Sequence, residues 1–215
     1  MNVGCIKSMV EAIQISLGAV YKKEYRLIEQ HCHEVNIVGA FYHYFRQLFE
    51  LRFESYCIDM EYCRMGTRTL SKEININVGG VVCPLCNKKH TRRIRSDFII
   101  HRPGTDDNLL VIEFKGEWSS GCLDWDEKKL CALTMPLVTR PAEESYVCGY
   151  KLGVSIMLKE DMVGLEQFEE GNKVGEVIKT PKECLVRKYE LFMKDKKGGM
   201  ELRAIQGKHL RKHLG

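Results

Sequence analysis

Apolar positions recur at helical spacing through the first third of the chain. Met9, Ile13, Leu17 and Val20 fall three or four residues apart in a proline-free stretch, which predicts a helix from about Met9 to Tyr25. A second helix is expected from about His33 to Leu51, where Val35, Val38, Ala40, Phe41, Phe45, Leu48 and Phe49 make a wide apolar face and Glu34 sits in the first turn. Gly39 in its interior costs roughly 1 kcal/mol against Ala and suggests close packing.

From Ser55 the period changes. SYCIDMEYCR alternates as a strand, and Ile74 to Val82 is a β-branched run closed by Gly79–Gly80. A polar knuckle, CPLCNKKH, precedes RRIRSDFIIHR, whose apolar density rises into a strand. The turn HRPGTDDN then leads into LLVIEFK, so a β-hairpin with a loop of about five or six residues is expected. Trp125 to Ala132 reads as a helix, with Asp124 as its N-cap and Pro136 ending it. YVCGYKLGVSIML reads as a strand apolar enough to be central. The tail from Glu176 suggests shorter strands with a KDKKGG turn and a basic end. Helices first, then strands, with one helix between the two most apolar strands, imply an α/β sandwich around a mixed sheet.

Composition narrows this picture modestly. A chain of 215 residues, 44% hydrophobic and 29% charged, fits one globular domain and not a disordered one. A net charge of +4 permits an anionic partner without demanding one. No apolar run approaches the ~18 residues of a membrane span, and MNVGCIKSMVEAIQ lacks the charged and apolar segments of a signal peptide. A cytoplasmic protein with reduced cysteines is therefore expected, although ten cysteines is a high count.

Two constellations carry chemistry. Side-chain alternation puts Glu113 and Lys115 on one sheet face, and pairing of 94–101 with 109–115 would bring Asp97 near Glu113. Neighbouring carboxylates in a half-buried setting repel unless they share a cation, and Mg²⁺ takes one or two carboxylates together with water and phosphate. A solvated strand edge with a weak surface ion pair would show the same triplet. The second constellation, Cys83-Pro-Leu-Cys86 with His90, has the spacing of a zinc knuckle inserted at about 74–93. Its fourth ligand would be Cys57, Cys63 or a distant His; the alternative is a reduced cysteine pair at a hairpin tip. Lys88, Arg92 and Arg93 on this insertion could contact phosphates, although charges at a hairpin tip are usually only solvated.

The segment S-D97-F-I-I-H101-R…N108-L-L-V-I-E113-F-K115 resembles the core of the PD-(D/E)XK nuclease superfamily, with Ser96–Asp97 in place of its Pro-Asp and Glu113–Phe114–Lys115 as its (D/E)XK. The likeness extends, over roughly residues 30 to 160, to a bacterial branch of that superfamily. Arg95–Ser96–Asp97, the Asn108-led strand, Asp126–Glu127–Lys128–Lys129–Leu130, Glu34 before IVGAFYHYF and Glu61–Tyr62 all match it.

The resemblance implies a restriction-endonuclease-like α/β/α fold over residues 1–215. It also implies Mg²⁺- or Mn²⁺-dependent hydrolysis of a phosphodiester; DNA is the expected substrate, with RNA left open, and endonucleolytic cutting is expected ahead of exonucleolytic. Asp97 and Glu113 would hold the ion, Lys115 would position the attacking water, and Glu34 would complete the metal site. Asp126 and Lys129 would stand behind these residues or face DNA, or form an ordinary exposed helix pair. Ser96, the longer turn at Pro103, and Gly116 where a second Lys is common depart from the pattern without removing a catalytic group. Cutting both strands commonly needs two active sites, which points to a homodimer. The competing expectation is an inactive nucleic-acid-binding or assembly protein with the same fold.

Overall fold

The sequence builds two layers of helix around a sheet, and the alternation along the central strands shows why. In the computed structural model, residues 3–62, 73–75, 91–93, 95–103, 105–119, 123–136 and 149–196 are described. Helix α1 spans Val3–Lys23, α2 Tyr25–Glu29 and α3 Glu34–Phe49, the last running into a 3-10 turn at Glu50–Phe53. Strand β1 is Cys57–Tyr62, and the short β2 and β3 are Glu73–Asn75 and Thr91–Arg93. Then follow β4 (Ser96–His101), β5 (Asn108–Gly116), α4 (Leu123–Thr134), β6 (Leu152–Leu158), β7 (Met162–Glu169) and β8 (Asn172–Pro181). A helix over 182–196, α5, closes the described chain.

Six strands form one sheet in the order β1-β4-β5-β6-β7-β8, and β2 pairs with β3 separately. All neighbours in the large sheet are antiparallel except β5 and β6, which run parallel because α4 crosses between them. The chain is thus of mixed α/β class. Phe98, Ile100, Ile112 and Phe114 point to one face, where they pack against α1 and α3. Ile99 and Val111, one residue out of phase, point to the other and meet Leu130 and Leu133 of α4. A strand covered on both faces must be apolar throughout, which explains the unbroken run at 109–112.

Phe41 and Phe45 of α3 meet Phe98 edge-on at 5.1 and 5.0 Å, and Phe41 meets Phe114 at 5.0 Å. These contacts fix the middle of α3 over β4 and β5. Tyr21 of α1 donates its hydroxyl hydrogen to the Lys159 carbonyl at 2.6 Å and so ties the first helix to the β6–β7 turn.

Several expectations need correction. Asp124 lies inside α4 rather than capping it, because the helix begins at Leu123. A Cβ on Gly39 would meet nothing within 4 Å, so this glycine marks no close approach. The tail expected to be shorter strands is instead β8 followed by α5, whose Leu185 and Tyr189 are buried one helical turn apart; α5 takes in Lys194, Asp195 and Lys196 of the expected KDKKGG turn, and the rest of that turn and the basic end lie outside the described residues. The hairpin loop between β4 and β5 has the expected length, and β6 is central. The zinc knuckle, Cys83, Cys86 and His90, lies outside the described residues together with Cys63 and Lys88, and the side chains of Arg92 and Arg93 are not described. Among the described residues, Cys32, Cys57, Cys131 and Cys184 are free thiols, and no helix is long and apolar enough to cross a membrane.

Candidate active site

Register brings the motif together. Phe98 pairs with Ile112 and Ile99 with Val111, so one further step sets Asp97 across from Glu113, both on the α4 face. Asp97 does not wait for a ladder bond: its Oδ2 accepts the Phe114 backbone N–H at 2.8 Å. The expected approach of Asp97 to Glu113 is therefore present in the fold.

Glu113 is 4% exposed. Its Oε2 accepts a hydrogen bond from the Lys129 ammonium, which also donates to the Arg95 carbonyl at 2.7 Å. Its Oε1 is buried with no hydrogen-bond partner. Desolvation pushes the Glu113 carboxyl up to about 8; Lys129 opposes that rise and the charge of Asp97 adds to it. Burial likewise raises Asp97, against the Phe114 N–H and Lys129, with Glu34 and Asp126 reinforcing the rise.

Lys115 stands between two acids, 3.6 Å from Asp126 and 3.9 Å from Glu34. Asp126 is raised mainly by burial, and Lys115 pulls it back. Glu34, the first residue of α3, is engaged on its other oxygen: Oε1 accepts the Gly116 N–H at 3.0 Å and the Ser119 hydroxyl. A carboxylate in the first turn of a helix is also favoured by the helix dipole. Trp118 covers the corner, stacked on His31 at 4.8 Å, and its ring comes so close to Gly116 that a Cβ there would meet it at 2.4 Å. His101 lies at the other end of β4, bonded to Asp59 at 2.8 Å.

Lys129 is the residue whose place departs furthest from expectation. Read from the sequence as a nucleic-acid contact or half of an exposed pair, it is buried and faces inward onto Glu113. The pattern carried a signal for this. Asp126, Lys129, Leu130 and Leu133 fall on one helical stripe, and the two leucines are core residues. A helix that buries Leu130 and Leu133 must also turn Asp126 and Lys129 toward the sheet.

The donor set offers only oxygen to a cation, which suits a hard ion such as Mg²⁺ or Mn²⁺. Among the described residues no three His, Cys, Asp or Glu side chains stand together as an ion-binding group. What the fold provides is a pair of carboxylates, Asp97 and Glu113, one with an orphaned buried oxygen. Since Mg²⁺ commonly takes only one or two carboxylates, completing its shell with water and substrate phosphate, that pair fits such an ion. Glu34 is committed to Gly116 and Ser119 and braces Lys115. Comparison of the chain with protein-family models, curated proteins and solved structures finds no match.

Proposed function

We propose that the chain is a divalent-metal-dependent nuclease that hydrolyses phosphodiester bonds, of DNA in the first instance and endonucleolytically, in a cytoplasmic setting. The observation that carries this reading is the same-face placement of Asp97, Glu113 and Lys115, with Glu113 Oε1 buried and unpartnered. An orphaned carboxylate oxygen costs on the order of 1–3 kcal/mol, a cost that a bound cation would remove. The PD-(D/E)XK resemblance and a mixed sheet clad by helices on both faces support the same conclusion.

In this reading Asp97 and Glu113 would hold the ion, which when bound supplies a water acidic enough to attack near neutral pH. Lys115, kept in place by Asp126 and Glu34, presents its ammonium toward the phosphate and offsets the negative charge that builds on the phosphorus oxygens. Asp126 and Glu34 are positioning residues. Lys129 holds Glu113 in its rotamer and supplies the positive charge that a buried carboxylate needs in the absence of metal.

The experiment is cleavage of plasmid, linear duplex and single-stranded DNA and of RNA with Mg²⁺ or Mn²⁺. Lys115→Ala is expected to lose at least 100-fold in rate, the scale of one electrostatic group at a reacting centre. Equal behaviour of wild type and Lys115→Ala would sink the proposal. A second reading, an inactive nucleic-acid-binding protein of the same fold, draws on one observation: Lys129 already satisfies one oxygen of Glu113. It requires that Mn²⁺ leave the melting temperature unchanged, whereas the nuclease reading requires a rise that Asp97→Asn removes.

A further inference from the structure

The sheet face that bears Glu113 and Lys115 does not end at α4. That helix has 12 residues and covers only part of the face, laying Leu130 and Leu133 against Ile99, Val111 and Phe168. It packs tightly at Gly153, where a Cβ would come within 2.9 Å of Thr134. Beyond it, no described element packs on the strip of β6, β7 and β8 that continues the face. There the surface sinks into a groove of about 360 Å³, a size typical of small-ligand pockets.

Register ties this groove to the candidate active site. Glu113 pairs with Ser155 and Lys115 with Met157; Met157 pairs with Gly164, and Gly164 with Lys179. Lys115, Met157, Gly164 and Lys179 therefore form one row across four strands, with an ammonium group at each end. Three strand spacings separate those ends, or about 14 Å. The floor between them is apolar, made by Met157, Met162 and Val177, with Gly164 contributing no side chain to it.

The rim is polar and mixed in sign: Ser155, Glu127, Lys159 and Glu166. Lys159 is paired with Glu117 and Glu166 with Lys173, each at 2.7 Å, so these charges largely cancel within the protein. Lys179 makes no ion pair among the described residues. An apolar floor rejects a bare phosphate, and a rim offering both donors and acceptors suits a flat neutral ring with a polar edge. Thioether groups pack well against such a ring and adapt to its outline.

We propose that this groove is a nucleobase subsite, which receives one unpaired base of a single-stranded nucleic acid whose neighbouring phosphate lies at Lys115. The proposal rests on the nuclease reading for the place of that phosphate. A base within a duplex is already stacked and paired, and reaching the groove would cost it both interactions. An unpaired base gives up no pairing and only the weaker stacking of a single strand, so single strands are the preferred ligand. Lys179, at the far end of the row, meets the next stretch of backbone.

The test measures fluorescence anisotropy of a labelled single-stranded 12-mer and of the matching duplex, without divalent metal, with melting temperatures to check folding. The wild-type chain is expected to bind the single strand about tenfold more tightly than the duplex, the value of one well-placed base contact. Gly164→Leu fills the groove. Its Cβ would meet Val177 and Met157 only at 3.5 and 3.6 Å, ordinary contact, so the fold should tolerate it. That variant should lose about tenfold in single-strand affinity and none for duplex. Lys179→Glu, on an exposed side chain, should weaken single-strand binding about threefold and lower its salt dependence.

Single-strand affinity unchanged in a folded Gly164→Leu overturns the subsite. If Gly164→Leu does not fold, unchanged affinity in Lys179→Glu overturns it instead. Loss of single-strand affinity in Gly164→Leu, from a wild type that cleaves nothing, upholds the groove and rejects the nuclease. Cleavage lost in Lys115→Ala but unaltered in Gly164→Leu, on single strands and duplex alike, does the reverse.

Discussion

Glu113 is held by one cation and desolvated by everything else around it. Removing Lys129 would leave a buried carboxylate with no compensating charge, which typically costs about 3–5 kcal/mol. We expect Lys129→Met to be destabilised on that scale in urea titrations above pH 8, where Glu113 is charged, and much less near pH 5, where it is protonated. The sign follows from linkage. A carboxyl raised in the folded state keeps its proton while the unfolded chain loses one, so stability falls as pH rises from the ordinary glutamate value of 4.5 to about 8. Without Lys129 the carboxyl rises further, so the fall continues to higher pH. A deficit independent of pH would show that the two groups are not coupled.

Asp107, in the β4–β5 loop, behaves in the opposite sense. It accepts hydrogen bonds from Lys151 at 2.7 Å and Tyr56 at 2.9 Å, and the Lys151 bond holds its carboxyl below the ordinary aspartate range despite partial burial. Its contribution is present above pH ~3.8 and fades as the pH falls through its lowered value. Asp107→Asn should therefore lose about 1 kcal/mol at pH 7 and less than that at pH 2. Equal losses at both values would contradict the linkage.

At the scale of elements, the aromatic contacts between α3 and the sheet decide where Glu34 can reach. Phe98 is fully buried and touches Phe41 and Phe45. Phe98→Ala should cost about 3–5 kcal/mol by thermal or chemical melting, whereas Leu51→Ala, at a position 88% exposed, should fall within ~0.5 kcal/mol of wild type. The packing of α1 on α5 depends on Gly18, where a Cβ would come within 2.1 Å of the Leu185 carbonyl oxygen. Because that neighbour is backbone and cannot swing aside, Gly18→Ala is expected to lower stability by about 2 kcal/mol.

At the scale of the whole molecule, a six-stranded sheet is clad on one face by α1 and α3 and on part of the other by α4. The parallel pair of the large sheet, β5 and β6, is where the crossover helix places its own charged residues over Glu113 and Lys115. Partial coverage by α4 leaves the groove beside the carboxylates. The shape of the site is thus a consequence of helix length and strand order rather than of any one motif.

The sequence by itself determined the local features: the period of α1 and α3, the β4–β5 hairpin, the buried run of β5, and the shared face of Glu113 and Lys115. These depend on neighbours a few residues apart, where 3.6- and 2-residue periods are legible. It left α5 misread although Leu185 and Tyr189 kept helical spacing, because a strand and a helix abut at Pro181–Lys182 with no linker between them. Only the tertiary structure decided that Lys129 points into the sheet, that Glu34 reaches Gly116, and that Lys115 lies in one row with Lys179. Those pairings join residues far apart in the chain, and their geometry is set by which faces the core buries.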